Sequence, residues 1–117
     1  MKEVKELIET VVEACEDRKA ENIIALDMEN VTTIADCFVI CHGNNERQVQ
    51  AIAQSVKDAV EEKGYTIDRM EGTERARWIL IDIGDVICHV FHEEERSYYH
   101  LERLWGDARE VKVSEGN

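Results

Sequence analysis

A chain of 117 residues with 44% hydrophobic side chains is long enough for one packed core and too apolar to be a disordered tail. Its 26 acidic and 14 basic side chains give a net charge of −12, which excludes an electrostatic grip on bare nucleic acid and favours a basic partner. No apolar run approaches the roughly 18–20 residues of a membrane span, and the charged start MKEVKELIETVVEACEDRK lacks the apolar segment of a signal peptide. The expected setting is therefore cytoplasmic and reducing, with Cys15, Cys37, Cys41 and Cys88 as thiols.

Residues 2–17 place Val4, Leu7, Ile8, Val11, Val12 and Cys15 on one stripe, with glutamates opposite. That spacing predicts an amphipathic helix whose stripe packs on the core. Residues 22–28 (NIIALDM) read as a short buried strand. Residues 36–42 (DCFVICH) read as a second, rich in aromatic and β-branched side chains. Gly43 permits a sharp turn, and Asn44 or Asn45 is placed to cap a helix carrying Val49, Ile52, Ala53, Val56 and Val60, which Gly64 ends. Residues 65–71 (YTIDRME) predict a third strand. WILID and VICHVFH, either side of Ile83-Gly84, predict a hairpin. Residues 95–105 predict a short last helix. The domain is expected to span 1–108, with 109–117 a frayed tail. The order α-β-β-α-β-β-β-α implies a single α/β domain with a mixed five-stranded sheet and flanking helices.

Alternation across the hairpin sorts its side chains onto two faces. A two-residue loop at Ile83-Gly84 pairs Asp82 with Asp85 and sets Trp78 opposite His89. Ile79, Ile81, Val86, Cys88 and Val90 then form an apolar face that belongs under the two long helices. Trp78, Leu80, Asp82, Asp85, Ile87, His89 and Phe91 form a mixed face. Aromatic and aliphatic groups with interspersed charge mark an interaction surface. The expectation is partial cover that leaves Trp78 or its neighbours available. The alternative is that the last helix folds over this face and makes it a second small core.

Three chemistries bear on these residues. For metal, the candidate ligands are Cys37, Cys41, His42, Cys88, His89 and His92, but no C-x2-C pair occurs. Cys37 and Cys41 stand about 13 Å apart by strand rise, and His42 and His92 are expected to be solvated at strand ends. No metal is expected. For covalent catalysis, the sequence does not establish a histidine base beside any of these cysteines, and Cys15 and Cys88 read as core residues. For nucleotidyl transfer, Gly43 and Asn44 before a helix suggest a phosphate-binding turn, with Asp82 and Asp85 as the available carboxylates. The D-x-D pair that would hold two metal ions is missing.

Several stretches resemble the ribosomal silencing factor family (RsfS, Iojap or YbeB). They are LDM at 26–28, DCFVICHGNNERQVQAIA at 36–53, EG at 71–72 and WILIDIGDVICHVFHEEERSYYHLERLW at 78–105. The most specific parts are W-x3-D-x-G-D-x3-H-x-F, on Trp78, Asp82, Gly84, Asp85, His89 and Phe91, and R-x2-Y-x-L-E-x-L-W, on Arg96, Tyr99, Leu101, Glu102, Leu104 and Trp105. The resemblance implies a fold related to nucleotidyltransferases without their catalytic carboxylates, no enzyme activity and no cofactor. It implies binding to the large ribosomal subunit at its subunit-facing protein number fourteen, blocking the small subunit sterically. It also implies a homodimer when free and a bacterial, cytoplasmic member. The residues expected to meet the basic partner are Trp78, Leu80, Asp82, His89, Phe91 and Glu102. Arg96 and Tyr99 stand equally as structural or contact residues.

Overall fold

Two stretches, CFVICHG and VICHVFH, are close to continuous hydrophobic runs, and every residue of both is buried. Strands with both faces covered read this way. The computed structural model describes residues 2–95 and 109–111. Within them run α1 (Lys2–Asp17), β1 (Glu21–Asp27), β2 (Cys37–Gly43), α2 (Glu46–Glu62), β3 (Arg69–Glu71), β4 (Trp78–Asp82), β5 (Val86–His92) and β6 (Arg109–Glu110). The six strands form one mixed sheet in the order β3-β4-β5-β2-β1-β6. β2 and β5, the two buried runs, are parallel neighbours at its centre, and the other pairs are antiparallel.

Each element follows from its residues. α1 turns Val4, Leu7, Ile8, Val11, Val12 and Cys15 inward, and α2 does the same with Val49, Ile52, Ala53, Val56 and Val60. The helices lie together on one face of the sheet, where Ser55 Oγ donates to the Ala14 carbonyl at 2.9 Å. Asn45 caps α2: its Oδ1 accepts from the Gln48 N–H at 2.8 Å, and the Gln48 Oε1 accepts from the Asn44 N–H at 2.7 Å. This exchange is a close relative of the capping box, and it ties down two amides at the helix start.

The structure departs from the sequence reading in four places. The hairpin turns at Gly84-Asp85, where the Ile83 N–H donates to the Val86 carbonyl at 2.9 Å. Trp78 therefore pairs with Phe91, Leu80 with His89 and Asp82 with Ile87, two places from the expected register. The expected faces survive, because a shift of two conserves alternation. The third strand covers only Arg69–Glu71 of the expected 65–71; Arg69 already pairs with Asp82, the last residue of β4, so no residue of that strand stands opposite 65–68. A sixth strand comes from Arg109–Glu110 in the expected tail and pairs with Leu26 and Asp27. Last, His42 and His92 are buried, not solvated. His42 is the penultimate residue of β2 and His92 the last of β5, and inside the sheet His42 pairs with Phe91 and His92 with Gly43. Residues 93–95 are already helical; the remainder of the expected 95–105 helix lies outside the described residues.

Two glycines separate backbone strain from contact. Gly84 has φ +84° and open space around a would-be Cβ, whose nearest neighbour is an Asp68 oxygen at 3.8 Å. Gly72 has φ +86°, and a Cβ there would lie 2.1 Å from the Trp78 carbonyl oxygen. Gly84→Ala is expected to cost about 1–2 kcal/mol, the left-handed backbone term alone. Gly72→Ala is expected to cost on the order of 3 kcal/mol or more, because the β4 backbone must also move. Urea midpoints of the two variants check the ranking.

Candidate functional site: a half-buried stripe on the outer sheet face

On β4 the residues alternate between buried and half-buried. Ile79 and Ile81 point under the helices, and Trp78, Leu80 and Asp82 remain half-buried on the other face. That face carries its own apolar cluster of Leu26, Met28, Ala35, Phe38, Ile40, Ile87 and Phe91, with Trp78 and Leu80 packed against it. Of the residues singled out by sequence, the structure places Trp78, Leu80 and Asp82 in a row at the surface. His89 and Phe91 are buried beneath them, so these two back the surface side chains and do not form the surface. Glu102, Arg96 and Tyr99 lie outside the described residues.

The aromatic side chains are held by specific contacts. The Trp78 indole N–H donates to His89 Nδ1 at 3.1 Å. The Trp78 and Phe91 rings are 4.9 Å apart and inclined by 31°, and Phe38 meets His89 edge-on at 4.7 Å. Burial pushes the His89 imidazole down from 6.5 to about 4, since the charged ring would lose its hydration. At the far end of the stripe, the Asp82 carboxylate accepts from the Gly84 N–H at 2.9 Å and faces Arg69 Nε at 3.4 Å.

Arg77, which the sequence reading passed over, organises the near end. Its Nε and Nη2 reach Glu95 Oε1 at 3.1 and 2.9 Å, Nη2 also reaches Glu94 at 2.9 Å, and Nη1 lies 3.6 Å from Glu46. One guanidinium thus joins β4, the start of α2 and the turn that leaves β5. The signal was present: an arginine just before Trp78 faces the run Glu93-Glu94-Glu95 once the hairpin register is known. Beside it opens a cavity of about 610 Å³ lined by Glu46, Gly72, Arg75, Arg77, Trp78 and Glu95.

The other chemistries find little support in the geometry. Gly43 ends β2 next to His92, whereas Asp82 pairs with Ile87 at the opposite end of β5. Five residues of strand, about 16 Å, separate the turn from the carboxylates, and the turn itself is the α2 cap. All four cysteines are free and buried. Burial pushes the Cys37 thiol up to about 12, away from the thiolate a nucleophile needs. The candidate ligands do not converge as the sequence grouped them. Instead His42 lies with Glu21 and Glu93, their ligand atoms within 4.8 Å of one another. With its amide turned nitrogen-inward, Asn44 donates to both carboxylates, at 2.9 Å to Glu21 and 3.0 Å to Glu93.

The chain is thus a single α/β domain, a mixed sheet with two helices on one face and a tryptophan-centred stripe on the other. Residues 1–117 match the family model described as "Ribosomal silencing factor during starvation", and the chain belongs to that family, RsfS. It is 55% identical over 104 residues to the ribosomal silencing factor RsfS of Bacillus subtilis (strain 168), covering 89% of this chain and 88% of that protein. A crystal structure from Bacillus halodurans is similar to it with a TM-score of 0.83 at 51% identity, over 92% of this chain and 98% of that one. A crystal structure from Chromobacterium violaceum gives 0.85 at 37% identity, over 95% and 92%. These relatives bear out the α/β fold expected from the sequence; the sheet has six strands where five were expected. No helix among the described residues is long and apolar enough to cross a membrane.

Two titrations test the site. The unfolded chain binds a proton at His89 near 6.5 and the folded chain only near 4. His89 thus contributes stability that is fully present above about 6.5 and is lost as the pH falls towards 4. The slope should approach about 1.4 kcal/mol per pH unit between those values. Urea midpoints for the wild type should fall more steeply from pH 7 to pH 5 than those of His89→Leu. Glu94 is held below its ordinary value by the hydrogen bond from Arg77 and then by the Arg77 charge. In Arg77→Ala its carboxyl resonance, followed by ¹³C NMR, should titrate at a higher pH than in the wild type.

Proposed function

We propose that this protein is a ribosomal silencing factor that acts by binding. The stripe of Trp78, Leu80 and Asp82, backed by His89 and Phe91, docks on a basic protein of the large ribosomal subunit, and Glu102 pairs with a lysine or arginine of that partner. That protein is the subunit-facing one numbered fourteen. The bound factor stands in the way of the small subunit and lowers translation without chemistry of its own.

The observation that carries this reading is the half-buried row on β4 in a chain whose relatives are named ribosomal silencing factors. Three side chains stay half-buried beside their fully buried β5 partners Ile87, His89 and Phe91, and the set combines an aromatic, an aliphatic and a carboxylate. Tryptophan is a favoured anchor in such interfaces. Asp82 supplies a group for lysine or arginine, and it already faces a guanidinium in Arg69. The net charge of −12 steers the chain toward a basic protein and away from bare RNA. The separation of Gly43 and Asn44 from Asp82 and Asp85 and the burial of every thiol support binding over catalysis.

Co-sedimentation with isolated large subunits tests the reading. The wild type should pellet with the subunit, and Trp78→Ala should lose about 2 kcal/mol or more of affinity while its circular dichroism is unchanged. A wild type that stays in the supernatant across a range of salt concentrations would overturn the proposal. An unchanged affinity in Trp78→Ala would remove this face from the interface.

A further inference from the structure

His89 is an unusual occupant of its position. Its neighbours on the same face of β5 are Ile87 and Phe91, and Leu80 stands across from it on β4. A buried aliphatic side chain would fill such a place with no polar group to satisfy. The imidazole instead brings two nitrogens, which are used unequally. Nδ1 accepts from the Trp78 indole N–H at 3.1 Å. A neutral ring that accepts at Nδ1 carries its proton on Nε2. That Nε2 is buried and has no hydrogen-bond partner among the described residues. Among the described residues the nitrogen with a partner is Nδ1, so what the imidazole offers here beyond an aliphatic side chain is an acceptor for the Trp78 indole.

We propose that His89 is a positioning residue for the docking face: it fixes the Trp78 indole in the orientation in which a partner meets it. This inference rests on the docking reading above. Phe38, edge-on to His89 at 4.7 Å, sets the imidazole, and Phe91, 4.9 Å from the Trp78 ring, backs the indole. The chain of contacts from Phe38 through His89 to Trp78 leaves the half-buried ring little freedom to lose when a partner arrives, and that saving is affinity. The indole donor is also spent within the protein, so Trp78 presents ring surface to its partner and not a hydrogen bond.

The experiment has two arms. In the ¹⁵N-labelled free protein, a through-hydrogen-bond coupling should connect Trp78 Nε1 with His89 Nδ1, and His89 should be the Nε2–H tautomer. Trp78→Phe distinguishes the Trp78 signal from that of Trp105. In co-sedimentation with large subunits, His89→Leu should weaken binding about tenfold. His89→Asn, whose amide oxygen takes the place of Nδ1, should recover most of it. In a Trp78→Phe background, His89→Leu should cost nothing further, because no indole N–H remains to be held. Urea midpoints confirm that each variant folds, and His89→Asn carries the test if His89→Leu does not. An absent coupling with intact binding overturns this inference and leaves the docking reading standing. Equal losses in His89→Leu and His89→Asn, or losses that multiply with Trp78→Phe, reduce His89 to packing and also overturn it. A wild type that fails to bind large subunits removes the docking reading, and the positioning role with it.

Discussion

The parallel pairing of β2 with β5 is the constraint from which the rest follows. Seven residues of each strand lie in register, from Cys37 opposite Val86 to Gly43 opposite His92. Parallel neighbours cannot be joined by a tight turn, so the chain must cross over between them. That crossover holds α2, β3 and β4. Because both central strands are covered on both faces, the sheet needs apolar cover on two sides. α1 and α2 supply it on one. On the other, Leu26, Met28, Phe38, Ile40 and Phe91 form a second, smaller core.

β4 is where this arrangement meets its exterior. It is flanked by β5 on one side and by only three residues of β3 on the other, so its outward side chains sit at the margin of the second core. Trp78 and Leu80 contribute to that core and are also left half-open by it. The same margin gathers charge. Arg77 draws together carboxylates from α2 and from the turn after β5, and Asp82 holds Gly84 and Arg69. The face is therefore apolar in its middle and charged at both ends, the distribution found in protein interfaces.

Much of this was legible in the residues, and the misses have physical causes. The bounds of α1 and the buried stripe of α2 follow from 3.6-residue periodicity. The two hairpin faces follow from alternation, which is why Ile79, Ile81, Val86, Cys88 and Val90 could be assigned to the helix side before any pairing was known. The pairing itself was not legible. Ile83-Gly84 and Gly84-Asp85 are equally plausible corners, and choosing between them moves the register by two without disturbing either face. The burial of His42 and His92 was hidden because a strand end in the sequence says nothing about its neighbours across the sheet. β6 was hidden because two polar residues, Arg109 and Glu110, carry no period. Of the site, Trp78, Leu80 and Asp82 could be named from sequence as one row. Its clamp at Arg77 could not, because the facing acidic residues are located only once the register is fixed.

The four thiols have a consequence of another kind. Cys15 on α1 touches Cys41 on β2, sulfur to sulfur at 3.7 Å, and Cys37 and Cys88 occupy the same core. None is accessible while the helices lie on the sheet. The chain therefore carries an intrinsic reporter of its own breathing. A thiol-specific reagent present from the outside reads how often the layer of α1 lifts from the strands, and at what free energy. No label needs to be engineered into the protein for this purpose, and the Trp78 face on the opposite side of the sheet is left untouched.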